Sequence, residues 1–407
     1  MSQPSIESCD ICIVGGGIVG LTAAALLAET NLSIAVIERG PATLQEYPKD
    51  RPYDLRVSAI NPASMKIFEH LNIADKLLSE RANAYSSMQI WDANSDASVE
   101  FDAESASMES LGYIVENDFI INALLELLKA HDNVIIHADN ALESIARQAG
   151  GIEITLQDAR LSSSLLIGAD GQHSQVRTLS GFPLETGLFN QTAMVCRITT
   201  ERPHQQTAYQ CFHHRGPIAY LPLADGSCSI VWSCDTDYAR ELKQLDDKAF
   251  AKAVERAMQS RLGKVKICGA RAGFELAQQH ASHYVEPGIA LIGDAAHRTH
   301  PLAGLGANLG LQDAAVLSEV ITTALRQHRS FSSRATLRKY ERKRQPQNAL
   351  TLNAMQAFKS GFASQAPGLI ALRAIALNSA DRLSPLKTLI SELATGTRGD
   401  LAEICKD

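Results

Sequence analysis

The stretch Cys9 to Gly20, C-D-I-C-I-V-G-G-G-I-V-G, runs into small and apolar residues as far as Ala28 and is followed by an acidic residue at Glu38. Its apolar segment Ile11 to Val14 reads as a buried strand, Gly15, Gly17 and Gly20 supply G-x-G-x-x-G, and Leu21 to Glu29 reads as a helix. Strand, tight turn and helix in that order make a dinucleotide-binding unit. Gly15 makes the turn, Gly17 lets backbone approach a pyrophosphate, and Gly20 lets helix and strand pack closely. The helix N-terminus offers N–H groups and partial positive charge to phosphates. Glu38 ends a second strand, Ser33 to Ile37, where a carboxylate can hydrogen-bond an adenosine ribose.

Outward from this unit the chain alternates strand and helix signals. A proline-bearing segment, Pro41 to Pro52, precedes D-L-R-V-S-A-I-N (Asp54 to Asn61) and an amphipathic helix from Pro62 to Leu71. Arg56 stands in an otherwise apolar run, either as a salt-bridged structural cation or as one that reaches a cofactor's phosphates or ring edge. Strands are expected at Ser87 to Trp91 and Val99 to Phe101; L-G-Y-I-V-E-N, Leu111 to Asn117, leads into a helix from Asp118 to Ala130, and a strand follows from Val134 to His137. A hairpin, Ile152 to Leu156 with Ser164 to Ile167, ends in G-A-D-G-Q-H-S-Q-V-R, Gly168 to Arg177. This puts Asp170 and Gly171 at a strand end, where α/β folds hold ligands.

From Ala193 to Ser233 short alternating segments separated by Gly216-Pro217 and Asp225-Gly226 indicate an antiparallel sheet, with a helix from Asp246 to Met258. A buried strand, Ile289 to Ile292, then leads into Gly293-Asp294 and P-L-A-G-L-G-A-N-L-G, Pro301 to Gly310. Helices follow to Arg326, from Ser333 to Ala357 and from Pro367 to Leu393. The expected organisation is a cofactor domain over 1–180, a substrate domain over 181–280, the return of the cofactor domain over 281–330 and a helical region over 331–407. A small sheet insertion is expected near 85–115.

The 407 residues are 45% hydrophobic and include 38 basic and 45 acidic residues. A net charge of −7 gives no global attraction to nucleic acid. Met1 to Ser8 lacks the basic start of a signal peptide, and the glycines at 15–17 argue against a membrane span, so a cytoplasmic protein is expected. The eight cysteines lack zinc or secreted-framework spacing, and Cys9 and Cys12 on one strand would point to opposite faces. Reduced thiols and no metal are expected. No Ser-His-Asp spacing or nucleophile elbow supports hydrolysis.

Three glycine-acid motifs, each at a strand end, resemble those of the FAD-dependent aromatic hydroxylases of the para-hydroxybenzoate hydroxylase type. The resemblance covers essentially the whole chain. It implies an α/β fold in which a Rossmann-like FAD-binding domain carries an inserted antiparallel sheet and a helical C-terminal region. It also implies that Gly15 to Gly20 with Glu38 hold the ADP half of FAD, that Asp170-Gly171 serve both FAD and the nicotinamide donor, and that Asp294 of Gly293-Asp294 binds the ribityl chain. NADH, NADPH or another reductant would reduce FAD, and molecular oxygen would be transferred to a phenol ring by way of a flavin C4a-hydroperoxide.

Asp54 to Asn61, Leu111 to Asn117, Gly293 to Asp313 and Tyr340 to Asn348 look like the ubiquinone-biosynthesis hydroxylases. Within them L-R-V-S-A-I-N, M-Q-I-W-D (Met88 to Asp92) and C-S-I-V-W-S (Cys228 to Ser233) are most similar to the 2-polyprenylphenol hydroxylase group. One departure is Gly304-Leu305-Gly306, where the family usually has G-Q-G, which removes an amide near the expected flavin ring. Gly304 and Gly306 still permit close backbone approach, and a helix from about Ala307 and Asn308 would aim its positive end at the flavin pyrimidine edge.

Further site candidates are His297, as a hydrogen-bonder near flavin or substrate or packed on its own loop, and Pro301 beside the substrate. Tyr209, Phe212, Tyr220 and Trp232 are candidates for a ring pocket, although core packing is the ordinary role of aromatics at strand spacing. A basic cluster, Arg326, Arg329, Arg334, Arg338, Lys339, Arg342, Lys343 and Arg344, is opposed by Glu341. It is either a solvated helix face or a contact with anionic lipid at the inner membrane or with other ubiquinone-biosynthesis proteins. A homo-oligomer is a further expectation. Competing functions are a hydroxylase for another ring position, a small-phenol hydroxylase, a flavin reductase or oxidase of lipid double bonds, and a non-catalytic flavin-binding assembly subunit. A flavin halogenase is disfavoured because its W-x-W-x-I-P is absent; Trp91 and Trp232 are the only tryptophans.

Overall fold

The structure, a computed structural model, describes residues 6–48, 50–95, 97–105, 107–148, 150–213, 215–299, 304–363, 395–396 and 399–406, and at 188–189, 305 and 358–363 the backbone alone. The expected helix from Pro367 to Leu393 and the site candidate Pro301 lie outside the described residues.

A parallel sheet organises the cofactor half. Its strands lie in the order Ile289–Leu291, Arg160–Gly168, Ile6–Val14, Ile34–Ile37 and Val134–His137, each parallel to the next. The register sets Val14 against Gly168 and Ile37, and Gly168 against Leu291. Four adjacent strands therefore end together, and the chain leaving those ends carries Gly293, Asp170, Gly15 and Glu38. The helix Ile18–Ala28 is buried along nearly its whole length, as a helix apolar all round must be.

The second sheet has eight strands, ordered His297–Arg298, Val265–Ala281, Leu184–Thr200, Cys228–Asp235, Ile218–Pro222, Thr207–Phe212, Ser87–Asp92 and Ser98–Asp102. The last two come from the first part of the chain, and Ser87–Asp92 pairs parallel with Thr207–Phe212. One face is covered by the helices Thr236–Gln244 and Asp247–Ala257. Phe250, Val254 and Ala257 recur at helical spacing on the second helix and pack with Tyr220, Ile230 and Trp232 of the sheet. Each large side chain buried there contributes roughly 1.5–3 kcal/mol. The Asp246 side chain caps that helix by accepting from the Ala249 N–H at 2.7 Å.

A third sheet of three strands, Val57–Ile60, Gly112–Glu116 and Asn83–Tyr85, stands at the end of the cofactor half. The long helices Leu305–Arg326 and Arg334–Ala363 follow. Several elements have no clear signal in the sequence, among them the helix Ala74–Glu80, the strand Leu142–Gln148, the helix Thr236–Gln244 and the strand Val265–Ala281. The last is rich in charged, polar and glycine residues, and its many exposed positions explain the weak apolar alternation. No helix of the described residues is long and apolar enough to cross a membrane.

Candidate active site

The three glycines of the first motif have separate physical reasons. Gly15 has φ +116°, and a Cβ there would lie 2.3 Å from the Ala169 carbonyl oxygen; one on Gly20 would lie 1.9 Å from the Gly15 oxygen. Protein fills both places. A Cβ on Gly17 would meet nothing within 4 Å, so the face beyond the helix start is open. Glu38 accepts from the Gly16 N–H at 2.6 Å and the Gly40 N–H at 2.8 Å, which holds its carboxylate beside the glycine loop.

In the second motif Asp170 accepts from the Ser174 hydroxyl at 2.5 Å and from the N–H groups of Gln175 and Val176 at 2.6 and 3.1 Å. Its carboxylate thereby shapes the loop through Gly171, whose φ is +78°. Burial nonetheless raises the Asp170 pKa, against those hydrogen bonds. Arg177, buried, donates to the Ala295 carbonyl at 2.9 Å and to the Gln172 carbonyl at 2.9 Å. Sequence reasoning grouped this arginine with the motif but gave it no role.

In the third motif Gly293 adopts φ +60° against Val19 of the first helix, and Gly310 packs there too. Asp294 keeps an exposed side chain although protein crowds it on most sides, as at the floor of an open crevice. Desolvation raises its carboxyl pKa, while His297, Arg298 and Arg56 act in the opposite direction. Gly304, φ +62°, caps the Leu305–Arg326 helix, and a Cβ there would lie 2.7 Å from the Ala59 Cβ. Gly306 and Ala307 are half-buried in the first turn. Asn308 donates to the carbonyls of Ala59 at 2.7 Å and Gly304 at 2.9 Å and accepts from the Asn61 N–H at 3.0 Å. It clamps the strand Val57–Ile60 to the helix start, so its bearing on the cofactor runs through backbone placement.

His297 does not face the crevice. It is buried, its Nε2 lies 2.5 Å from Asp313, and its ring packs against Tyr284. Asp313 also accepts from the Gly293 N–H at 3.1 Å, Arg344 Nε at 2.8 Å and Asn348 Nδ2 at 3.1 Å. Burial alone would raise the Asp313 pKa, but His297 and Arg344 overcome it and lower the value to about 2. This node joins the third motif to the Arg334–Ala363 helix.

The aromatic candidates divide by strand parity. Tyr209, Tyr220 and Trp232 belong to the core under the two helices, which removes them from a ring pocket. Phe212 is on the other face of its strand by alternation and is also buried. Cross-strand neighbours share a face, so Ala193 with Phe274, and Ala272, Val195, Val231 and Ala219 in one row, turn away from those helices. Phe274 is 39% exposed, and the exposed Arg56 guanidinium lies 5.9 Å from its ring centroid. Arg56 thus links this apolar face to Asp294. Phe274 was missed because it sits in the strand with the weakest alternation.

An extended dinucleotide fits this crevice. Gly17 and Gly171 have open space where a Cβ would stand, and the nearest atom to one on Gly306 is Thr299 Cγ2 at 4.0 Å. Gln172 Oε1 and Thr299 Oγ1 are buried without a hydrogen-bond partner, leaving acceptors and a donor for a bound group. Burial pushes the Cys9 thiol up to about 11 and Cys12 well above the ordinary thiol value. Among the described residues no group of His, Cys, Asp and Glu could hold a metal ion.

Residues 8–354 match the family model described as FAD binding domain. The chain is 34% identical to the 3-demethoxyubiquinol 3-hydroxylase of Escherichia coli over 391 residues, covering 96% of this chain and 99% of that one. It is 33% identical to the human ubiquinone biosynthesis monooxygenase COQ6, mitochondrial (95% and 92% covered), and 34% identical to the ubiquinone hydroxylase UbiL of Rhodospirillum rubrum (95% and 90%). Among solved structures, p-nitrophenol 4-monooxygenase PnpA of Pseudomonas putida superposes with a TM-score of 0.77 at 16% identity, covering 97% of this chain and 100% of that one. PqsL of Pseudomonas aeruginosa, described as a probable FAD-dependent monooxygenase, gives 0.76 at 19% identity, with 88% and 97% covered. These likenesses establish the fold, an α/β flavin-monooxygenase architecture of the para-hydroxybenzoate hydroxylase type. Matched along nearly its whole length by sequence as well as fold, the chain belongs to the FAD-binding-domain family and, within it, to the ubiquinone-biosynthesis hydroxylases, and is an FAD-dependent monooxygenase.

Proposed function

We propose that this monooxygenase hydroxylates the aromatic ring of a polyprenylated phenol, with 2-polyprenylphenol as its substrate. The observation that carries the reading is the apolar sheet face beside Arg56, where Phe274, Val231 and Ala219 offer a surface for a ring and the start of an isoprenoid tail. Met88 to Asp92 and Cys228 to Ser233, which resemble the 2-polyprenylphenol hydroxylases, lie in this same sheet.

Bound FAD supplies the redox and oxygen-activating chemistry, with a nicotinamide donor and oxygen as co-substrates. The chain supplies placement and field. Gly17 and the N-terminus of the Ile18–Ala28 helix would receive the pyrophosphate, Glu38 the ribose and Asp294 the ribityl hydroxyls. The start of the Leu305–Arg326 helix would offer its positive end to the bound flavin. Arg56 would add a cation beside the ring site, and Phe274 with its apolar row would help to exclude water once ring and substrate are bound. No side-chain nucleophile is needed.

A second reading is hydroxylation at another ring position, favoured by the name of the E. coli relative, 3-demethoxyubiquinol 3-hydroxylase. Purified holoenzyme given reductant and labelled oxygen, with 2-polyprenylphenol and 3-demethoxyubiquinol offered in parallel, separates the two by the mass of the labelled product. Each methylene buried from the tail is worth about 0.8 kcal/mol, so short-chain phenols are expected to show a much higher KM with looser coupling to product. Equal kcat/KM with and without the tail would leave a small-phenol hydroxylase as the better reading.

A further inference from the structure

We propose that the outer face of the Arg334–Ala363 helix is a docking surface for anionic phospholipid headgroups. The fold sorts the basic run that contains it. Arg344 turns inward to Asp313, Lys343 pairs with Glu319 at 3.1 Å, and Glu341, the one carboxylate of the run, accepts from the N–H groups of Tyr284 and Val285 at 2.9 and 3.2 Å. Arg326, Arg329, Arg334, Arg338 and Arg342 remain exposed, and no carboxylate within the described residues pairs with them. Arg338 and Arg342 stand on the half of the helix opposite the buried Leu337, Tyr340, Arg344 and Asn348, and Arg334, one turn before them at the exposed helix start, flanks that half.

Further along that outer half stand exposed Pro346 and Leu350, the latter 64% exposed and the most exposed large hydrophobic residue among those described. From Arg334 to Leu350 the face extends roughly 24 Å at helical rise. Guanidinium groups followed by an exposed apolar side chain suit a plane of mobile headgroups over an apolar interior. The rest of the surface sharpens the argument. With a net charge of −7 for the whole chain, the residues outside this face are net negative, so an anionic membrane favours the orientation that presents the face to it.

The purpose of the face rests on the lipid-phenol reading; its measurement does not. Full-length holoenzyme is sedimented with vesicles of phosphatidylcholine alone or mixed with phosphatidylglycerol. Binding is expected only to the mixed vesicles. It should fall steeply at about 0.5 M salt, where the screening length drops below about 5 Å. Each surface cation contributes about fivefold, so Arg334→Glu/Arg338→Glu/Arg342→Glu is expected to lose at least about a hundredfold in vesicle affinity. Arg147→Glu/Arg202→Glu/Arg240→Glu, with the same charge change elsewhere, should lose far less. The milder Arg338→Gln/Arg342→Gln covers the case in which triple reversal impairs folding. Hydroxylation of a soluble short-chain phenol should be unchanged in these variants, which separates failure of this proposal from failure of the assigned reaction. Native protein that ignores the mixed vesicles, or binds them equally after reversal, overturns the proposal, and in the first case an acidic protein partner becomes the occupant to test.

Discussion

Arg177 donates through Nη1 to the Ala295 carbonyl oxygen at 2.9 Å, joining positions 118 residues apart. The loop after Asp170 and the loop after Gly293 are thereby held as one wall of the cofactor crevice. Replacing the guanidinium with an apolar chain, as in Arg177→Met, leaves the buried Ala295 carbonyl unpaired, at about 1–3 kcal/mol, and releases the half-buried Gln172 carbonyl. Arg177→Met is expected to lower both the melting temperature and FAD affinity, the latter by about tenfold or more. Flavin fluorescence titration beside calorimetry checks this; unchanged FAD binding would mean that the clasp does not shape the site.

Asp294 should show the opposite balance. Its carboxylate is held at a raised pKa by desolvation, so it costs the empty protein stability while offering charged hydrogen bonds to the ribityl hydroxyls. Such a bond is worth about 1.5–3 kcal/mol. Asp294→Ala is therefore expected to weaken FAD by roughly tenfold to a hundredfold, with the melting temperature of the apoprotein unchanged or raised. Normal FAD affinity in the variant would remove the role assigned to Asp294.

Asp313 predicts an acid sensitivity with a definite sign. Its folded pKa, about 2, lies below the ordinary aspartate value, so its stabilisation is fully present above the unfolded pKa near 4 and is lost as the pH falls through about 2. The integrated contribution is on the order of 2–3 kcal/mol. Denaturant melts should accordingly show the stability gap between wild type and Asp313→Asn narrowing as the pH falls through that window. A constant gap would assign the effect to packing alone.

The glycines of the first motif should separate folding from binding. Gly20→Ala pushes a methyl into the Gly15 carbonyl and is expected to destabilise the fold by about 1–3 kcal/mol or more. Gly17→Ala meets open space, so it should fold normally yet hold FAD poorly. If Gly17→Ala retains full FAD affinity, the pyrophosphate does not approach that helix start.

Local sequence determined the glycine-acid motifs, their order and their placement at strand ends, because strand periodicity, tight turns and helix starts depend on neighbouring residues. It also set most strands and helices, from Val134–His137 to the helix at Asp247–Ala257. Local signals failed in Val265–Ala281, whose exposed positions carry charge and glycine, and so Phe274 went unread. Tertiary structure alone decided which face of the second sheet would be covered by helices. A strand's alternation names two faces without saying which is inside, and Tyr220 and Trp232 went to the helix side while Val231 and Ala219 went to the other. The same holds for charge. Nothing near His297 or within the run of arginines announces that His297 and Arg344 would be drawn in around Asp313 while Arg338 and Arg342 stay in water. A buried charge is stable only where distant partners converge on it, and that convergence exists only once the sheet and the two long helices have packed.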